Sequence, residues 1–272
     1  MRMPKSPAET LQRILMVPPK HFTVEYAINP WMGGVVDKDL ATKQWNNLKN
    51  IVTSLNVEVL ELEQLKELPD QVFVCNSGVV CGNNVYVSKF RYKERVGEQP
   101  EYLKWFRNNG YKVFGDDYSE TFEGGGDAVF SDEHTLWAGY GERSTEAAYD
   151  KVKQIGDFEI IKVHLVNPKF YHLDTCFAAI DATTALYYPD AFTKETQAEI
   201  LKRLPNSIAV TKEEADAFVC NAIAIRKTVI SPIGLSKKTK ETLFARGFQV
   251  ADVDMSEFIK SGGGCQCLIM RL

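Results

Sequence analysis

The sequence predicts an α/β fold made of one unit used five times, a β-hairpin followed by a helix and a strand, with the units closing into a five-bladed α/β propeller. Three observations carry this prediction. Phe73-Val74-Cys75-Asn76 recurs as Phe218-Val219-Cys220-Asn221. The junction Asn109-Gly110-Tyr111-Lys112-Val113 recurs as Arg246-Gly247-Phe248-Gln249-Val250. One polar residue heads each hairpin (Asn76, Asp127, Asp174 and Asn221), at a spacing of roughly 50 residues that belongs to repeat architectures. One further step forward reaches Cys267, and one step back reaches Asn29.

The elements follow in order. Arg13 to Val17 is a short apolar run stopped by Pro18-Pro19 and reads as a strand. Trp45, Leu48, Ile51, Val52 and Leu55 have helical spacing, and residues 57–62 alternate like a strand. A second helix, 102–108, ends at Gly110 and leads into 111–114. A third starts after Ser144, a good N-cap, and leads into 158–166. A fourth spans 194–204 before 207–210, and a fifth spans 238–246 before Gly247 and 248–250. Hairpins lie between them, with turns at Gly82-Asn83-Asn84, Ser131-Asp132-Glu133, Asp181-Ala182-Thr183 and Arg226-Lys227. After Cys267 only a short strand remains, so the first strand is expected to complete the last unit and leave no open sheet edge.

Composition narrows the function. Of 272 residues, 44% are hydrophobic and 25% charged, ordinary values for a globular chain with a sizeable core. Basic and acidic residues number 32 and 36, with no basic tract, so neither nucleic acid nor an anionic membrane is an expected partner. No apolar run approaches the ~20 residues of a membrane span. Met1-Arg2-Met3-Pro4-Lys5-Ser6 lacks the apolar core of a signal peptide, so the chain is expected in the cytoplasm with its six cysteines reduced. Cys265-Gln266-Cys267 has no second pair at zinc-finger spacing, so no metal site is expected.

Candidate chemistry starts at Gly262-Gly263-Gly264-Cys265-Gln266-Cys267. A glycine run lets the backbone pass close to a ligand, and a thiol beside it suits a nucleophile or a small core residue. Cys265 is a rival; only Cys267 falls on the repeat register. His172 stands two residues before Asp174 and, on a strand, would share its face, so the carboxylate could orient the ring, as in a satisfied core pair or an acid/base pair. Glu123 and Asp127 bracket Gly124-Gly125-Gly126, and paired carboxylates suit a guanidinium with its several N–H donors. The same carboxylates would repel phosphate. Arg95 and Arg143 lie in loops, as surface charges or as bidentate holders of a substrate carboxylate.

Taken together, Gly-Gly-x-x-x-Cys267, His172-x-Asp174, Glu123-Gly-Gly-Gly-Asp127, Phe-Val-x-Asn76 and Gly-x-x-x-Arg143-Ser resemble the guanidine-modifying (pentein) superfamily over essentially the whole chain. The pattern is most similar to cyanobacterial-type arginine dihydrolases, through Ile28-Asn29-Pro30-Trp31-Met32, Lys93-Glu94-Arg95 and Phe170-Tyr171-His172-Leu173-Asp174-Thr175-Cys176. Arginine deiminases and dimethylargininases place Asp where this chain has Asn76, and their glycine motif is one residue shorter.

The resemblance implies a single domain over residues 1–272 and a hydrolase acting on C–N bonds of linear amidines, with arginine or a related guanidino compound as small-molecule substrate and no metal or organic cofactor. Catalytic roles fall to Cys267 (nucleophile), His172 (acid and base), Glu123 and Asp174, and substrate contacts to Asn29, Asn76, Arg95, Asp127 and Arg143. A dihydrolase gives ornithine, carbon dioxide and two ammonia. The alternatives are a dimethylargininase or deiminase giving citrulline, or a binding protein on the same fold, as translation initiation factor 6 is.

Overall fold

A computed structural model of the protein describes residues 4–272; Met1–Met3, part of the N-terminal stretch read above, lie outside the described residues. The strands are β1 (Arg13–Met16), β2 (Glu58–Glu61), β3 (Gly78–Cys81), β4 (Asn84–Val87), β5 (Lys112–Phe114), β6 (Ala128–Asp132), β7 (Thr135–Tyr140) and β8 (Glu159–His164). They continue with β9 (Phe177–Asp181), β10 (Thr184–Tyr187), β11 (Ile208–Ala209), β12 (Ile223–Ile225), β13 (Thr228–Pro232), β14 (Gln249–Val253) and β15 (Met270–Arg271). Among the described residues they form five three-stranded sheets, which fit the fivefold repeat.

Four sheets are built alike. A hairpin supplies two antiparallel strands, and a longer connection returns the third strand parallel to the second. A parallel partner cannot be reached by a tight turn, which is why a crossover segment follows each hairpin. In the fifth sheet β1 is the middle strand, antiparallel to β15 and parallel to β2. The first strand therefore completes the unit that the last strand begins, as the short tail after Cys267 predicts, but the five sheets are separate and each keeps two edge strands, so the expected absence of an open sheet edge is not met.

The helices form where apolar spacing and caps agree. Lys38–Ser54 starts at Asp37, whose side chain accepts from Leu40 N–H, and buries Trp45, Leu48 and Val52. Glu98–Asn108 buries Tyr102 and Phe106, and Lys194–Arg203 and Lys237–Ala245 are capped by Thr193 and Ser236. Gly110 and Gly247 have φ of 80° and 81°, the left-handed stop that the repeated junctions imply. The third connection differs from expectation. It is three short pieces (Glu146–Ala148, Tyr149–Val152 and Lys153–Ile155) that start after Thr145 rather than Ser144, with no side-chain capping bond. The hydroxyl of Ser144 is engaged elsewhere, in the site described next.

Each hairpin head sits in a turn just before the innermost strand of its sheet. Asn76 and Asp174 lie in the 3-10 turns Val74–Ser77 and Leu173–Thr175, and Asp127 ends the turn Gly124–Gly126. Those turns pack against one another, which gathers heads from different sheets. The tail is equally fixed: Cys265, Cys267, Leu268 and Ile269 belong to the core cluster that includes Ile14, Leu15 and Trp45.

Candidate active site

Cys267 is 2% exposed. Its Sγ receives a hydrogen bond from Asn221 Nδ2 at 3.1 Å and donates to Asp174 Oδ2 at 3.3 Å. Asn221 also holds the backbone around the thiol, because its Oδ1 accepts from the N–H groups of Gly264 (3.0 Å) and Cys267 (3.1 Å). That explains part of the glycine run. A Cβ on Gly264 would stand 2.9 Å from Asn221 Oδ1, and one on Gly262, at φ 86°, would stand 2.7 Å from both Asn29 Oδ1 and the Tyr171 hydroxyl.

Burial, then the charge of Asp174, pushes the Cys267 thiol well above its usual range. Burial also pushes Asp174 up, to about 7, against the opposing hydrogen bonds from Cys267 and Asn221. Thiol and carboxyl are therefore coupled, and a cation placed between them lowers both.

A second group centres on Glu123. Its Oε2 lies 2.8 Å from His172 Nε2 and accepts from Arg143 Nη1 at 2.8 Å, while Oε1 accepts from the N–H of Arg91 at 3.1 Å. Burial would raise the Glu123 carboxyl, but the Arg143 guanidinium and the His172 contact outweigh it and hold it well below the usual range. Arg143 is sandwiched between the Tyr92 and Tyr171 rings, each 4.7 Å from its guanidinium carbon, and its Nη2 donates to the carbonyl of Ile28.

Ser144 ties the Glu123 backbone to the Asp127 carboxylate. Its Oγ accepts from Glu123 N–H at 3.0 Å and donates to Asp127 Oδ2 at 2.6 Å, and Asp127 Oδ1 accepts from Leu173 N–H at 3.1 Å. Burial raises Asp127 to about 6. Asn76 joins a third group. Its Nδ2 donates to the Glu123 carbonyl at 3.3 Å, and its Oδ1 accepts from Arg95 Nη1 at 2.8 Å. Arg95 forks onto Glu98 (Nε at 2.7 Å, Nη2 at 2.8 Å).

Every anticipated site residue converges here, but three pairings differ. His172 is not turned to Asp174. A 3-10 turn, Leu173–Thr175, begins directly after the extended His172, so the two side chains diverge, the ring to Glu123 and the carboxylate to Cys267. Glu123 and Asp127 have separate partners within the protein, Arg143 and His172 for the first, Ser144 and Leu173 for the second. Neither Arg95 nor Arg143 presents a free fork, because each is 2–3% exposed and paired to a carboxylate of the protein itself. Asn29, half-buried, donates to the Ser261 carbonyl at 3.1 Å beside the glycine run.

Asn221 was visible on the repeat register but had no role assignable without its partners. Asp70, 2% exposed, accepts from Tyr26 and Ser261 hydroxyls and had no local signal at all. Among the described residues, no group of three or more His, Cys, Asp or Glu could hold a metal ion. No described helix is long and apolar enough to cross a membrane.

The site thus holds a buried thiol bonded to one carboxylate and one amide, in a cluster with a His–Glu pair. The family profile for eukaryotic N,N dimethylarginine dimethylhydrolase matches residues 33–272, and the chain belongs to that family, within the guanidine-modifying superfamily, whose hydrolases act on C–N bonds of amidines. It is 64% identical to an uncharacterized protein of Caenorhabditis elegans over 100% of this chain and 98% of the other. It is 40% identical to the bifunctional arginine dihydrolase/ornithine cyclodeaminase ArgZ of Synechocystis, over 96% of this chain and only 37% of that protein. The product-bound N-terminal domain of ArgZ, an arginine dihydrolase, superposes with a TM-score of 0.91 at 38% identity, covering 95% of this chain and 96% of the domain.

Proposed function

We propose that the protein is an arginine dihydrolase, converting arginine to ornithine, carbon dioxide and two ammonia through a covalent Cys267 amidino intermediate. The observation that carries this reading is the thiol held between the Asn221 amide and the Asp174 carboxylate, inside a cluster that also holds His172 on Glu123. A guanidinium beside Asp174 lowers both coupled groups and frees the thiolate at the moment of binding. The thiolate then forms a C–S bond to the guanidinium carbon. His172 gives a proton to a terminal nitrogen, and that C–N bond breaks to release ammonia. Water adds to the same carbon with His172 as base, the C–S bond breaks, and a ureido product remains. A dihydrolase repeats the attack on the ureido carbon: a new C–S bond forms, the C–N bond to ornithine breaks as its nitrogen takes a proton from His172, and a second water releases the carbamoyl group from sulfur as carbamate, which falls apart to carbon dioxide and the second ammonia.

Two features favour the second round. The first is the neutral amide of Asn76, anchored by Arg95 and Glu123, which accommodates a ureido oxygen that a carboxylate would repel. The second is the likeness to ArgZ. Arg143 is the group for the amino-acid carboxylate, exchanging Glu123 for the ligand; Arg95 acts through Asn76. The same reading takes residues 1–272 as one domain, a ring of five blades closed by β1, working in the cytoplasm.

The dimethylhydrolase family match makes dimethylargininase the second reading. Incubation with arginine, dimethylarginine, citrulline and agmatine, with product identification, decides between them. Ornithine with two ammonia per turnover supports the dihydrolase, and citrulline with one amine replaces it. A Cys267→Ser protein that retains full activity refutes the covalent route.

A further inference from the structure

Beyond Asp174 lies a cavity of about 310 Å³ that shares only Asp174 with the residues assigned catalytic or substrate-binding roles. Its wall is formed by the innermost strands: Val79 on β3, Ala128 on β6, Ala178 on β9 and Arg271 on β15, with Ala222 just before β12. The small side chains of Ala128 and Ala178 on two of those strands, and of Ala222, keep it open. Lys5 and Thr10 border it as well. It reaches the catalytic cluster through Asp174, Gln266 and Gly125, whereas Glu123, His172, Asn76 and Arg143 do not line it. A substrate held by those four residues therefore leaves the cavity empty.

A second observation marks the junction. Asp174 is 1% exposed, and its Oδ1 has no hydrogen-bond partner within the protein. Leaving a buried carboxylate oxygen unmatched is costly, so a small donor is called for, and water or ammonium supplies one. The proposed reaction needs such traffic. Each cycle consumes water and releases ammonia while the amino acid stays bound, and the catalytic side chains are almost wholly buried beneath it.

We propose that this cavity is a rear conduit through which water reaches, and ammonia leaves, the Cys267 centre, with Asp174 at its inner end. The proposal rests on the guanidine-hydrolase reading, and its test separates the two. Ala178→Phe fills the passage from β9, and Ala178→Ser is the small control. With arginine as substrate, adduct formation on Cys267 is followed by quenched intact-protein mass spectrometry, and ammonia by steady-state release. The conduit predicts that Ala178→Phe forms the adduct within about twofold of the wild-type rate, accumulates it, and loses about tenfold or more in turnover, while Ala178→Ser behaves as wild type.

Cys81 also lines the cavity and is half-buried, so alkylating it with a bulky maleimide obstructs the same passage in the folded protein, with treated Cys81→Ser as the control. Should Ala178→Phe fail to fold, the Cys81 adduct decides alone. Wild-type turnover without excess adduct in the obstructed protein overturns the conduit. Absence of any adduct in the unobstructed protein, with arginine, dimethylarginine or citrulline, overturns the hydrolase reading and the conduit with it.

Discussion

Asn221 does two jobs that substitution can separate. As an acceptor it satisfies the buried N–H groups of Gly264 and Cys267, and as a donor it faces the thiol. Asn221→Ala removes both and strands two buried donors, each worth about 1–3 kcal/mol, so unfolding free energy should fall by about 2–6 kcal/mol. Asn221→Asp keeps the acceptor. At pH 6 a carboxyl buried beside Asp174 stays protonated, so this variant should lose less stability than the alanine one. Near pH 8 the thiol has lost its amide donor and gained a negative neighbour. Its apparent pKa should rise by at least about one unit, worth about 1.4 kcal/mol, with a matching tenfold loss of thiolate. Urea denaturation reads the first quantity, and the pH profile of iodoacetamide alkylation, counted on Cys267 by peptide mass, reads the second. An Asn221→Asp protein with the wild-type alkylation profile, or an alanine variant of wild-type stability, would refute this account of how the thiol is held.

Three more expectations follow from the same geometry. Asn76→Asp keeps the bond from Arg95 but loses the one to Glu123 and brings a charge, so the ratio of citrulline to ornithine should rise several-fold; amino-acid analysis of the products checks it. Gly126→Ala puts a Cβ 2.4 Å from Asn76 Nδ2 and 3.0 Å from His172 Nδ1, which should cost kcat about a hundredfold in a protein that still folds, measured by ammonia release beside thermal unfolding. The raised carboxyls of Asp127 (about 6) and Asp174 (about 7) add stability that is complete below the unfolded value near 3.9 and lost as pH rises through the folded values. The ligand-free protein should therefore weaken between about pH 4 and 7 by a few kcal/mol, and Asp174→Asn should flatten that slope; denaturation midpoints across the range test it.

The repeat was legible because its signals are local. Apolar spacing, N-caps and the two glycine stops are written within one unit, and the sheets follow them. The register even carried Cys267 ahead of Cys265. What failed was local reasoning about side-chain partners. Ser144 looks like a cap, yet its hydroxyl is drawn off by Asp127 from the preceding hairpin. His172 and Asp174 look like a pair only if the segment is extended, and a 3-10 turn separates them. Arg95 and Arg143 look like surface charges or free forks because Glu98 and Glu123 show their role only when the chain is folded. Asp70 lies next to nothing informative in sequence; its partners Tyr26 and Ser261 arrive from distant segments.

The pairing of β1 with β15 also bears on when the thiol reaches its partners. Ile14 and Arg271 are register partners from opposite ends of the chain, and contacts of such separation form late in folding because the intervening loop must first be closed. During synthesis the carboxylates, the histidine and both arginines emerge before Cys267 does. A nascent chain thus carries a reaction chamber without its reactive atom. Cys267 follows those side chains, and β15 begins three residues beyond it, so pairing with β1 and placing the thiol against Asn221 and Asp174 draw on the same segment.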